Sequence, residues 1–236
     1  MIGREVRVEV AQASRILSGL GVVDAFGHVS RRHPDRPDRF LMARSMAPAS
    51  VTPDDVIEFD LDGEPRSAAG ERVFLERFIH AELYRARADI GAVVHSHAPA
   101  VLPFTVVGRP VRPLSHMCGF LHGTTPAFEV ADHAGDASDL LIRDARLGRA
   151  LADHLGDAAV VLMRGHGFTA VGQAIPQAVF RAVYTMSNCV LEAAACQLGT
   201  PRYLSPAEAA ACDAATDGQI DRAWNLWVAQ HARFDD

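Results

Sequence analysis

The chain has 236 residues, 49% of them hydrophobic, and a formal net charge of −6. That length and apolar content suit a folded domain with a sizeable core and exclude a disordered chain. The mildly acidic balance, with its arginines scattered, argues against a nucleic-acid or anionic-membrane partner.

In chain order, the N-terminus MIGREVRVEVAQ is charged and lacks the apolar core of a signal peptide. Residues 4–20 repeat Val6, Val10, Ala13, Leu17 and Leu20 at helical spacing. Short strands are predicted near 25–31 and 39–43, flanking the turn-rich HPDRPDR, and a third over 56–61 before Asp62-Gly63. An amphipathic helix follows over 74–87, with Leu75, Phe78, Ile79 and Leu83 facing the core. GAVVHSHA, from Gly91, reads as a buried strand, and VVGRPVRPL near 106–114 as one weakened by Pro110 and Pro113. Residues 138–155 read as helix, 159–172 as strand, Gly-His-Gly turn and strand, and 175–198 and 206–233 as helices. Of the four cysteines, Cys118, Cys189, Cys196 and Cys212, none forms a C-x-x-C pair, and Cys189 and Cys196 look like core residues of a helix. Reduced thiols, no transmembrane helix and a cytoplasmic location are expected. Without repeats or a linker, residues 1–236 read as one domain. Helices at both ends with short strands between suggest an α/β protein with a mostly antiparallel or mixed sheet.

The chemistry lies in the histidines. His95 and His97 are two apart in a predicted strand, so their imidazoles point the same way. Such a pair chelates a borderline metal, or simply lies on a polar strand face. His166 stands between Gly165 and Gly167 after the apolar run VVLM. Those glycines let the backbone bend sharply and approach another group closely. Glu76 falls on the predicted helix 74–87 among apolar neighbours, a setting that raises a carboxyl pKa toward neutrality. Three histidines leave a metal position open, as in catalytic zinc sites, and a carboxylate adds an acid/base group. From the residues alone, a metal-dependent hydrolase fits as well as any other metal enzyme.

Three motifs go further: E-R-F-I-H at Glu76–His80, V-V-H-S-H-A from Val93 and R-G-H-G from Arg164, with 19 residues from Glu76 to His95. In these the chain resembles the class II aldolase/adducin family over almost its full length. The resemblance implies a three-layer α/β/α fold around a central, mainly antiparallel sheet. It also implies a homotetramer with active sites between subunits. Carried over by position, His95, His97 and His166 become ligands of one divalent metal ion per subunit, Zn²⁺ or Mn²⁺ with Fe²⁺ or Co²⁺ as further candidates. Glu76 becomes the acid/base carboxylate.

The chain departs from the phosphate-binding members of that family. Where they carry Ser-Ser before the glutamate it has Phe74 and Leu75. Where they carry Gly-Asn it has Gly27-His28, and their Thr-Gly is replaced by the region of Ala43, Arg44 and Ser45. Phe74 and Leu75 offer no side-chain donors to a phosphate. With F-G-H-V-S at Phe26–Ser30 and S-H-M-C-G-F at Ser115–Phe120, the chain is similar to the decarboxylase-type branch, which acts on hydroxylated aromatic or pyridine dicarboxylates. The expected site therefore has Glu76 and His116 as catalytic residues, and His28, Arg44 and Ser45 binding a small carboxylate substrate. An aldolase for an unphosphorylated substrate, a dehydratase or epimerase, and a non-catalytic adducin-like scaffold are the alternatives.

Overall fold

Helix α1 (Arg4–Gly19) buries Val10, Ala13, Ile16 and Leu17, and so forms on the periodicity read from the sequence. Strands β1 (His28–Arg32) and β2 (Arg39–Ala43) flank the turn, and β3 (Val56–Asp60) pairs with β2. Helix α2 (Arg77–Ala86) precedes β4 (Ala92–Ser96), followed by the short helices α3 (Leu102–Val106) and α4 (Ala131–Ala134). Helix α5 (Ala145–Leu155), β5 (Val160–Met163), β6 (Gly167–Gly172), the long α6 (Ile175–Leu198), α7 (Pro206–Asp217) and α8 (Ile220–His231) complete the chain. This is a computed structural model, and it describes residues 3–66 and 70–234.

The six strands make one sheet in the order β3-β2-β1-β4-β6-β5, with every pairing between them antiparallel. Its two faces are covered separately. Val29, Val94, Leu162 and Ala170 pack with residues of α1, α6 and α8, whereas Met42, Val93, Val161 and Val171 pack with those of α2 and α5. The strand alternation puts successive residues into these two cores. Burying a Phe59 or Leu83 completely contributes about 1.5–3 kcal/mol, which holds α2 to the sheet. Arg32 adds direction: its guanidinium donates to the carbonyls of Tyr84, Arg87 and Ile90 at 2.7–2.8 Å, tying the end of α2 to β1. The fold is the three-layer α/β/α arrangement expected.

Four elements differ from the sequence expectation. No strand forms near 106–114; α3 ends at Val106, and a turn and an irregular segment follow, since Pro110 and Pro113 have no N–H for a ladder. The predicted helix 138–155 begins only at Ala145, where the Asp144 carboxylate accepts from Leu147 N at 2.8 Å. The predicted helix 74–87 begins at Arg77, leaving Glu76 at its N-cap. The predicted last helix breaks at Gly218 and Gln219 into α7 and α8. Cys189 is buried in α6 as expected, but Cys196 is exposed.

Candidate metal centre

His28 on β1, His95 on β4 and Thr169 on β6 are register partners, so they form one polar row on the α2-facing side of the sheet. His97 lies just beyond the end of β4, and His166 in the tight turn between β5 and β6. Both glycines of that turn are required. Gly165 adopts φ 64°, and a Cβ on Gly167 would stand 2.1 Å from the Ser96 carbonyl oxygen. This close approach brings His166 against His95 and His97.

The three Nε2 atoms converge. They are 3.0 Å apart between His95 and His97, 3.3 Å between His95 and His166, and 3.1 Å between His97 and His166. Nitrogens held about 2.0–2.1 Å from one ion at near-tetrahedral angles lie roughly 3.3 Å apart. The outer nitrogens decide what the inner ones are. His166 Nδ1 donates to the Leu140 carbonyl at 2.8 Å. His95 Nδ1 lies 3.1 Å from Thr169 Oγ1, and His97 Nδ1 lies 3.7 Å from the Asp24 carboxylate. A carbonyl only accepts, so His166 carries a proton on Nδ1; the Thr169 hydroxyl points its own proton toward Met163 Sδ and leaves its oxygen to accept from His95; the Asp24 carboxylate, beyond hydrogen-bond reach of His97, favours a proton on its Nδ1 by charge alone. Three lone pairs then face one point, an arrangement that fits a bound cation.

Glu76 closes the group, and its ligand atom and those of the three histidines lie within 4.8 Å of one another. One carboxylate oxygen accepts from Ile142 N at 2.9 Å; the other lies 3.5 Å from His95 Nε2 and 3.3 Å from His166 Nε2. Burial alone would raise its pKa, as the sequence suggested, but while His166 and His95 carry protons on Nε2 their hydrogen bonds outweigh burial and hold it below the ordinary carboxylate range; a cation taking the place of those protons would favour the same charged form. That reverses the expectation: Glu76 is ionised. For His166, burial works against charge, yet the same contact with Glu76 prevails and raises its pKa. Burial, reinforced by the neighbouring His95 and His166, lowers His97 to about 4.

The unwound segment 138–144, read as helix from the sequence, is what supplies the Leu140 carbonyl and the Ile142 N–H. Leu140 is left-handed at φ 65°, a conformation that costs a non-glycine residue about 1–3 kcal/mol and that the surroundings must enforce.

Beside the group opens a cavity of about 650 Å³, lined by His28, Ser45, Glu76, His97 and His166 and by apolar Phe26, Met46, Phe74, Leu75 and Leu140. Six of the expected site residues meet around the histidines or on this wall: Glu76, His95, His97, His166, His28 and Ser45. Two do not. Arg44 Nε is 2.8 Å from Asp55 and 3.9 Å from Glu71, so its charge is spent on an ion pair away from the cavity. His116 is exposed at the start of a 3-10 turn and lines a different cavity with Tyr184 and Trp227. The sequence reading also missed His80, Ser30 and Tyr84, which back His28 from inside the protein. His80 Nε2 is 2.7 Å from His28 Nδ1, and its Nδ1 is 2.6 Å from Ser30 Oγ. Spacing gives no signal for them, because the partners come from two elements some 50 residues apart.

The family profile described as Class II Aldolase and Adducin N-terminal domain matches residues 8–192. Among curated proteins, decarboxylase tropJ of Talaromyces stipitatus is 40% identical, over 88% of this chain and 86% of that one. A 3,4-dihydroxyphthalate decarboxylase of Arthrobacter keyseri is 31% identical, over 75% and 73%. Among solved structures, an aldolase II superfamily protein from Pseudomonas syringae superposes with a TM-score of 0.79 at 21% identity, over 97% and 92% of the two chains. An L-fuculose 1-phosphate aldolase from Glaciozyma antarctica gives 0.76 at 18%, over 98% and 92%.

Proposed function

The chain belongs to the class II aldolase and adducin family, and from that premise we propose that it is a metal-dependent carbon–carbon lyase that decarboxylates a hydroxylated aromatic or pyridine dicarboxylate. The observation that carries this reading is the convergence of the His95, His97 and His166 lone pairs at 3.0–3.3 Å beside an ionised Glu76. Relatives that are decarboxylases support the reaction over retro-aldol cleavage. The chain has no lysine, so carbonyl activation through a lysine Schiff base is not open to it.

His95, His97 and His166 would hold one divalent ion, with Zn²⁺ and Mn²⁺ the first candidates and Fe²⁺ and Co²⁺ behind them. Bound there, the ion supplies Lewis acidity, drawing onto a ligated oxygen the electron pair that C–C cleavage releases. Glu76, ionised, takes the proton of the ring hydroxyl as substrate enters and returns it to the carbon that CO₂ leaves. The Ile142 N–H holds Glu76 in place while it does so. Phe26, Phe74, Met46 and Leu140 flank the ring and keep water from the reacting carbon. His28 and Ser45 face substrate oxygens. His116 lies outside this chain's own cavity, and Arg44 is a structural partner of Asp55.

We take residues 1–236 as one domain, which the single sheet and its two covered faces support. The homotetramer with active sites between subunits that the family resemblance implies is kept as part of this reading, and the exposed Val190, Leu191 and Leu198 on α6 are apolar surface that an association of subunits would cover. None of the helices among the described residues is long and apolar enough to cross a membrane. The test is CO₂ release by metal-loaded protein over a panel of ortho-hydroxy aromatic and pyridine acids. Release that disappears in His95→Ala is expected. Silence over the panel from protein that contains metal would transfer the reading to an aldolase for an unphosphorylated substrate, with aldehyde products to be sought.

A further inference from the structure

Four side chains on the α2-facing side of β1 form one buried hydrogen-bonded chain. The Tyr84 hydroxyl is 2.7 Å from Ser30 Oγ, Ser30 Oγ is 2.6 Å from His80 Nδ1, and His80 Nε2 is 2.7 Å from His28 Nδ1. Counting protons sets its direction. Among the described residues, Ser30 Oγ is the one hydrogen-bond partner of the Tyr84 hydroxyl, so Tyr84 must donate there or leave a buried O–H unmatched. Burial pushes the Tyr84 hydroxyl pKa upward, so it keeps its proton. Ser30 then spends its single proton on His80 Nδ1. His80, buried and neutral, carries its proton on Nε2 and gives it to His28 Nδ1. His28 is left with its own proton on Nε2. No described residue bonds that nitrogen, and no buried side-chain polar atom is without a partner, so Nε2 opens on the cavity that His28 lines.

The same cavity has no arginine among the described residues of its wall. For a decarboxylation that pairing of features has a physical reason. Negative charge leaves the carboxylate as the C–C bond breaks, so a cation there would stabilise the starting state more than the transition state. An uncharged donor orients the group with less of that penalty.

We propose that His28, held as the Nε2–H tautomer by Tyr84, Ser30 and His80, donates its hydrogen bond to the substrate carboxylate that departs as CO₂. The proposal rests on the decarboxylase reading, and makes Tyr84, Ser30 and His80 positioning residues.

The first test is independent of turnover. In zinc-loaded, ¹⁵N-histidine-labelled full-length protein, with His28 assigned through His28→Gln, long-range ¹H–¹⁵N correlation should show the Nε2–H form. Tyr84→Phe, which keeps the packing ring, should admit the Nδ1–H form; an Nδ1–H His28 in the unsubstituted protein overturns the chain of donors. Salicylate should shift the His28 Nε2–H signal and phenol should not. An unmoved signal at high salicylate, or equal shifts with both, overturns the carboxylate contact. On a ring that releases CO₂, Tyr84→Phe should raise KM roughly five- to tenfold, the loss of about one net hydrogen bond. His28→Gln, which keeps an N–H donor, should retain more activity than His28→Ala; equal loss in both counts against a donor. Absence of CO₂ release on every ring overturns the decarboxylase reading and the departing carboxylate with it, while the tautomer measurement judges the hydrogen-bond chain separately.

Discussion

Two groups of histidines lie side by side on one face of the sheet and are left in opposite states. His28 and His80 satisfy one another, donor to acceptor, in a chain that ends at Tyr84. His95, His97 and His166 turn three acceptors toward a single point. The ring is the same, and the rings of His28 and His95 are only 5.0 Å apart between centroids. What differs is the partner on the far nitrogen. An acceptor there, such as Leu140 O, turns the near nitrogen into a lone pair, whereas a hydroxyl donor, Ser30, turns it into an N–H. Converging acceptors and a chain of donors are thus separated across one strand pair by the partners of the far nitrogens.

The comparison breaks most completely if the converging group is not a metal site. His95→Ala should therefore lose metal outright, by more than the roughly 10–100-fold in affinity that removing an outer partner costs. Elemental analysis showing a full equivalent retained would sink the assignment. Next in size, Glu76→Gln should keep the metal and lower CO₂ release roughly 10²–10⁴-fold, the span of a lost acid/base group. Unchanged turnover would take Glu76 out of the proton path. A smaller effect sharpens the role of the far nitrogen. Asp24→Asn should weaken metal binding about tenfold, at the low end for outer partners because Asp24 is half exposed and 3.7 Å away; chelator competition reads this directly. Last, Ser30→Ala should leave metal affinity alone but strand the Tyr84 hydroxyl and His80 Nδ1, at a cost of about 1–3 kcal/mol in urea unfolding. A parallel drop in metal affinity would mean the two groups are one unit.

Much of this was legible before the structure. The spacing of His95 and His97 and the glycines around His166 announced a convergence, and α6 runs over the residues its apolar pattern predicted. The failures have local causes. Helical propensity extended 138–155 too far, because nothing in that run announces that Leu140 and Ile142 must turn their backbones toward His166 and Glu76. The sequence places Glu76 inside a helix with a raised pKa, since burial is readable from apolar neighbours while two histidines arriving from other elements are not. Arg44 and His116 have side chains suited to a carboxylate substrate, yet Asp55 takes the one and the 3-10 turn carries the other away.

The sequence by itself determined the strand and helix periodicities, the family and the four residues Glu76, His95, His97 and His166, because local spacing and turn chemistry are properties of neighbouring residues. Which nitrogen of each histidine carries a proton, whether Glu76 is charged, and which polar residues share its cavity were decided only by the tertiary structure. Those properties depend on carbonyls, hydroxyls and carboxylates that arrive from distant segments, and burial makes each such contact count.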